Sequence, residues 1–307
     1  MKRIRHDYIE LSLVYITAVG TLLFLSTVAT PISISHFGVI VPLSQEEQKV
    51  SSMYNMEAFM NIEVNAKAYV IYDIVDKKII ASKNETTVLP LASLTKVMTA
   101  ITALSHHDAK KSITISSAEI ENGYDLGLKK NQVWTLEELL KYTLVFSSND
   151  GAAIIANALG GRKAFVDQMN NDATLLGLSL YFNDPAGLDN GSILGGQGSA
   201  IQVAKLFAVA RKRFPYVLDA TTHNRATVTA NTGKIRGIPN TNQRVEELLG
   251  AEASKTGFTD SAGGNLAVVV DITVGHPVVI VVLGSTHSGR FEDIEKLFKA
   301  LKKSIQN

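Results

Sequence analysis

The chain has 307 residues, 46% apolar and 19% charged, with a formal net charge of +1, a globular composition sufficient for one large domain or two small ones. No segment is dense in Lys and Arg and no aromatic–basic alternation occurs, which argues against a nucleic-acid partner. Cysteine is absent, excluding disulfides, thiolate metal sites and cysteine nucleophiles, and the seven histidines (His6, His36, His106, His107, His223, His276 and His287) show no metal-ligand spacing.

At the N-terminus, Lys2, Arg3 and Arg5 precede an uncharged apolar run from Leu11 to Ala29. At about 1.5 Å per residue such a run reaches across a hydrocarbon core of about 30 Å. No Lys or Arg follows until Lys49, so charge asymmetry places the N-terminus in the cytoplasm and the rest outside. Residues 1–32 are therefore expected to be a basic tip and a single-pass membrane anchor. The catalytic part is then extracytoplasmic, or secreted if the small residues Val28-Ala29-Thr30 are cleaved. Residues 33–62 read as a spacer that carries an apolar patch, Phe37 to Leu43.

Residues 63–307 read as the folded domain. Alternation over 67–82 around Asp76-Lys77-Lys78 predicts a β-hairpin. Leu91 to Leu104 carries apolar residues at helical spacing, and His106-His107 reads as its solvated end. Residues 135–159 hold two helices broken at 146–150, with Thr135 and Glu138 as a capping box. Helices over 163–177 and 199–212 flank a Gly-rich loop, Pro185 to Gly198. Strands follow at Val228-Thr229, Glu252 to Ser254, Leu266 to Val274 and Val278 to Leu283, then a closing helix, Phe291 to Ile305. This order fits one sheet assembled from both ends of the chain, with helices on its faces.

Three short patterns carry chemistry. In Ser93-Leu94-Thr95-Lys96, residues three apart share a helix face, so the lysine can reach the serine hydroxyl. A serine needs a neighbouring base, which a lysine becomes once burial or nearby cations favour its neutral amine. The free N–H groups of the helix start, that of Ser93 included, suit an oxyanion. In Ser147-Ser148-Asn149, a hydroxyl can relay a proton and an amide can hold both Lys96 and a substrate carbonyl. In Lys255-Thr256-Gly257, a cation and a hydroxyl on an edge strand can hold a carboxylate, and the glycine lets the edge pair with an extended peptide. Each alone is weak, since capping residues and strand ends look the same. Their conjunction in this order is the pattern of serine enzymes of the β-lactamase and penicillin-binding type.

With LPLASLTKVMTA around Ser93, WTLEELLKYTLVFSSNDGA around Ser147, FNDPAGLDN at 182–190, NTN at 240–242, SKTGFTDSAGGNLAVVV at 254–270 and VVLGSTHSGRFEDIEKL at 281–297, the chain resembles the low-molecular-mass penicillin-binding proteins, the serine D-alanyl-D-alanine carboxypeptidases. The resemblance implies an α+β fold: a five-stranded antiparallel sheet packed against helices, with an inserted all-helical cluster. It implies that Ser93 attacks the carbonyl between two D-alanines with Lys96 as general base, while Ser147 and Asn149 complete the proton relay and position the substrate. Lys255, Thr256 and Arg290 would lie by the terminal carboxylate. Gly257 would allow close approach, and the N–H groups of Ser93 and Phe258 would form the oxyanion hole. Peptidoglycan stem peptides are the implied substrates and β-lactams the covalent inhibitors, with no cofactor and no metal.

The chain departs from the family pattern at Ser148, where glycine is common, and at Gln202, where an acidic residue is usual. The family's C-terminal β-rich domain is not expected after the closing helix, and tethering would then fall to the N-terminal segment. A D,D-endopeptidase that cuts crosslinks would use the same residues. A β-lactamase of the class that deacylates through a glutamate-held water would need an E-x-x-L-N element between Asn149 and Lys255, and none is present. A non-turnover sensor of β-lactams would retain Ser93 and Lys96.

Overall fold

The computed structural model describes residues 53–116 and 128–305; the apolar run of Leu11–Ala29 and most of the spacer lie outside them. No helix among the described residues is long and apolar enough to cross a membrane. The predicted hairpin forms β1 (Ala68–Asp73) and β2 (Lys78–Lys83). After a two-residue strand β3 (Leu89–Pro90) and a 3₁₀ turn at Ala92–Leu94 comes α1 (Thr95–His106). The short strands β4 (Ser112–Thr114) and β5 (Val133–Thr135) lead to α2 (Leu136–Val145), α3 (Asn149–Ala158) and α4 (Arg162–Leu175). Then follow β6 (Tyr181–Phe182), β7 (Gly196–Gly198), α5 (Ala200–Arg213), α6 (Pro215–Leu218), β8 (Arg225–Ala230) and β9 (Gly233–Pro239). The chain closes with β10 (Ala251–Thr259), β11 (Gly263–Asp271), β12 (Pro277–Ser285) and α7 (Gly289–Ser304).

The main sheet has the order β10-β11-β12-β1-β2, and every neighbouring pair is antiparallel. This is the expected sheet built from both chain ends. Its central strands are buried on both faces, which is why β11 and β12 read as continuous apolar runs. Val269, Val279 and Val281 point into the larger core with α1 to α5. Val268, Val270, Ile280 and Val282 point into a second core under α7, with Ile294, Leu297 and Leu301.

The stretch read as a spacer ends inside this second core. Tyr54 is buried and pairs with Ile305, and its hydroxyl donates to Asp73 Oδ2 at 2.8 Å. Asp73 is also met by His276 Nε2 at 2.7 Å and by the N–H groups of Val75 and Asp76. This carboxylate therefore fastens the entry of the chain to the ends of β1 and β12, and burial beside Asp73 pushes the Tyr54 phenol up.

Two local readings are corrected. Thr135 does cap α2, its Oγ1 accepting from Glu138 N at 3.2 Å, but the reciprocal half of the box is missing. Glu138 instead takes Lys141 Nζ at 3.0 Å and the Thr229 N–H of β8 at 2.6 Å. Thr135→Ala is accordingly expected to cost about 1 kcal/mol, the ordinary value of one cap, measured as a shift in the urea midpoint. The end of α1 is not simply solvated: His106 Nε2 sits 2.9 Å from Oδ1 of the buried Asp172 of α4.

Candidate active site

Ser93 reaches its place through a tight backbone path. Pro90 pairs with Gln197 of β7, and the N–H of the buried Leu91 donates to Gly196 O at 2.8 Å. Ala92 then turns with φ +49°, a left-handed conformation that costs a non-glycine residue about 1–3 kcal/mol and persists only where the surroundings hold it. Ser93 follows in the 3₁₀ turn, and Lys96 comes one turn later on α1.

The fully buried Lys96 places Nζ 2.7 Å from Ser93 Oγ, 2.7 Å from Asn149 Oδ1 and 2.9 Å from Ala186 O. Asn149 is the first residue of α3, so the break between α2 and α3 delivers its amide to the lysine. Ser147, in that break, also has a left-handed backbone, φ +61°. Its Oγ accepts from Lys255 Nζ at 2.7 Å. The intervening Ser148 caps α3 by accepting from Gly151 N at 2.7 Å. The side chain that departs from glycine thus serves as the cap of α3. Gln202, the other departure, accepts from the Ser179 N–H at 3.1 Å.

The edge strand β10 supplies the opposite wall. Lys255 Nζ also donates to Thr256 O at 2.9 Å, and Thr256 Oγ1 bonds to Thr241 Oγ1 at 2.7 Å. A Cβ on Gly257 would lie 2.9 Å from Leu91 O and 3.2 Å from Ser93 N, so this glycine is what lets the strand lie against the nucleophile's backbone. Phe258 is exposed, and its ring meets His287 edge-on with centroids 4.9 Å apart. Arg290, in the first turn of α7, is buried and donates from Nη1 to Gly257 O at 2.8 Å. Contacts therefore join the nine residues expected from the sequence: Lys96 Nζ meets Ser93 and Asn149, Lys255 Nζ meets Ser147 and Thr256, and Gly257, next to Phe258, lies against Ser93 and accepts from Arg290.

Several supporting groups were not foreseen. Asp184 accepts from Ala186 N at 2.8 Å and Leu188 N at 2.9 Å and pairs with Arg162, shaping the turn whose Ala186 carbonyl receives Lys96. Asp189 accepts from Thr259 Oγ1 at 2.8 Å, tying that turn to the end of β10. Asn265 donates to Pro90 O at 2.9 Å and accepts from Gly284 N at 2.8 Å, locking β3 onto the main sheet. Their only sequence signal was membership of the segments 182–190 and 254–270.

Burial, then the charges of Lys96 and Arg290, hold the Lys255 ammonium well below its ordinary value; burial alone brings the Arg290 guanidinium down to about 10. For Lys255 the folded value lies below the unfolded one. Between the two the unfolded chain binds a proton that the folded chain does not, so stability rises with pH across that interval and is unaffected below it. If Lys255 holds a substrate carboxylate, as expected from the sequence, catalysis has the opposite sense, because loss of its charge weakens that hold. kcat/KM for a carboxylate-bearing substrate is expected to fall on an alkaline limb well below the usual lysine range. Lys255→Arg should remove that limb, as read from the pH–rate profile.

These distances describe an activated serine: a nucleophile in contact with a buried lysine, a second serine–lysine pair beside it, and an edge strand free to take a peptide. Comparison with known proteins agrees. A family model described as D-alanyl-D-alanine carboxypeptidase matches residues 53–287. A D-alanyl-D-alanine endopeptidase of Escherichia coli is 31% identical over 229 residues, 72% of each chain. A D-alanyl-D-alanine carboxypeptidase of Mycobacterium tuberculosis is 28% identical over 199 residues, 64% of this chain and 67% of that one. Among solved structures, a penicillin-binding protein of Listeria monocytogenes in its ampicillin-bound form superposes with a TM-score of 0.69 at 27% identity, over 78% of this chain and 98% of that one. On this match, and on a site where the motif residues meet one another, the chain belongs to the D-alanyl-D-alanine carboxypeptidase family of serine hydrolases.

Proposed function

We propose that the chain removes the terminal D-alanine from peptidoglycan stem pentapeptides through an acyl-enzyme on Ser93. The observation that carries this reading is the contact of Ser93 Oγ with Lys96 Nζ at 2.7 Å, made where Gly257 brings the free edge of β10 against the same backbone. Lys96, as neutral amine, takes the Ser93 proton while Oγ attacks the carbonyl between the two D-alanines. The oxyanion is received by the N–H groups of Ser93 and Phe258. As the tetrahedral intermediate collapses, the proton taken up by Lys96 passes through Ser147, which Lys255 holds at 2.7 Å, to the amine of the departing D-alanine, and Lys96 returns to its neutral form. Asn149 holds Lys96 and the substrate amide, and Lys255 and Thr256 favour the departing carboxylate. Water, deprotonated by Lys96, then hydrolyses the ester and frees Ser93. Penicillins mimic the peptide and stall at the acyl stage, in keeping with the ampicillin-bound relative.

A second reading is favoured by the 31% identical endopeptidase: cleavage of the D-alanyl bond of a crosslink, by the same residues. The residue 11–29 run would tether either activity outside the cytoplasmic membrane. Incubation with a pentapeptide and with a crosslinked muropeptide dimer decides between them. Free D-alanine from the first with the dimer intact supports the carboxypeptidase. Monomers from the dimer without free D-alanine would replace that reading with the endopeptidase.

A further inference from the structure

Arg290 is a buried guanidinium with no carboxylate partner among the described residues, and its Nε finds no hydrogen-bond acceptor there. A charge buried without a counter-ion is costly to keep, because its desolvation is not repaid by a partner. Among the described residues the Arg290 guanidinium donates to the backbone, from Nη1 to Gly257 O at 2.8 Å. The fold builds this contact. Gly263 and Gly264 let the start of α7 approach the β10–β11 turn, since a Cβ on Gly264 would lie 2.0 Å from Thr286 O and 3.4 Å from Arg290 Cβ.

The carbonyl that Arg290 holds belongs to the same peptide group as the N–H of Phe258. That peptide is trans, so oxygen and N–H point in opposite directions. β10 is an edge strand, and Gly257 packs against the backbone of Leu91 and Ser93. With its oxygen drawn toward α7, the peptide turns its N–H away from Arg290 and toward the free edge.

We propose that Arg290 is a positioning residue for the oxyanion hole: by clamping the Gly257 carbonyl it fixes the Gly257–Phe258 peptide plane and strengthens the Phe258 N–H as a donor. A charged donor on the carbonyl withdraws density through the amide, and linked hydrogen bonds reinforce one another by about 10–30% each. The role rests on the acyl-transfer reading above and differs from that of a carboxylate anchor, because it acts on every acyl donor whatever its leaving group carries.

The test compares the full chain with Arg290→Gln and Arg290→Met, using two acyl donors: a penicillin, which has a free carboxylate, and a benzoyl-D-alanyl thioester whose mercaptoethanol leaving group is neutral. Acylation by both donors is expected to slow by a similar factor, about tenfold or more in Arg290→Met, a fraction of the loss of a whole oxyanion donor. Arg290→Gln, which keeps a neutral donor, should be intermediate, and it carries the comparison if Arg290→Met does not fold. The infrared band of the acyl-enzyme ester carbonyl should move to higher wavenumber in the same order, a shift that mere loosening of the fold does not grade by donor strength. Slowing confined to the penicillin, with the carbonyl band unmoved, would overturn the proposal and leave Arg290 as a carboxylate anchor. Wild-type protein that neither donor acylates would overturn the acyl-transfer reading itself and this inference with it.

Discussion

Ser93→Ala is expected to abolish covalent labelling by a fluorescent penicillin and to lower D-alanine release by about 10⁴-fold or more, as loss of a nucleophile does. Stability should hardly change. Lys96 Nζ loses one acceptor but keeps Asn149 Oδ1 at 2.7 Å and Ala186 O at 2.9 Å, so the cost is about 1 kcal/mol or less. Lys96→Ala should lose activity to a similar extent while leaving the Ser93 hydroxyl intact, because a serine without its base is a poor nucleophile. The double variant should be no worse than either single one, since groups that act as a unit are not additive. Labelling followed by gel fluorescence, with thermal melting in parallel, reads all three. Retained labelling in folded Ser93→Ala would move the nucleophile elsewhere.

The site was legible because its chemistry sits at fixed short spacings: i,i+3 on a helix for Ser93 and Lys96, and consecutive residues for 147–149 and 255–257. The partners that hold those segments were not, because each bridges distant parts of the chain. Asn265 contacts Pro90 and Asp189 contacts Thr259, and no periodicity joins such positions. The main sheet was legible from its twice-buried strands. The four-stranded sheet β4-β5-β8-β9 was not, since β4 and β5 have three residues each, and β9 contains Gly237 with φ +73°. The strand expected to run to Val274 stops at Asp271 because that carboxylate accepts from the Gly275 and His276 N–H groups. This fixes a turn that leaves Val274 exposed. Likewise the Gly-rich loop at 185–198 ends in β7, whose residues pair with β3 and β6. Only tertiary pairing makes a strand of Gly-Gln-Gly.

Gly187→Ala is expected to be the most damaging single-methyl change near the site. Gly187 has φ +81°, and a Cβ there would lie 2.0 Å from Ala92 O and 2.8 Å from Thr95 Oγ1, far inside contact. The neighbour that must yield is backbone, and it is the Ala92 peptide that sets the path into Ser93. Backbone strain and overpacking together should cost about 3 kcal/mol. The turn that is pushed away also carries the Ala186 carbonyl that receives Lys96, so acylation should fall by about 10²-fold, the scale of an ångström's misplacement. Gly191→Ala is the matched control. It has φ +58° with nothing within 4 Å of the added Cβ, so it carries the conformational cost of about 1–2 kcal/mol without the clash. Urea unfolding should separate the two variants in stability, and penicillin labelling should separate them far more widely, with Gly191→Ala near wild type. Equal losses in both would mean that the glycine is needed for its left-handed backbone alone; a loss confined to Gly187→Ala would place the requirement in the contact with Ala92, where the nucleophile's geometry is set.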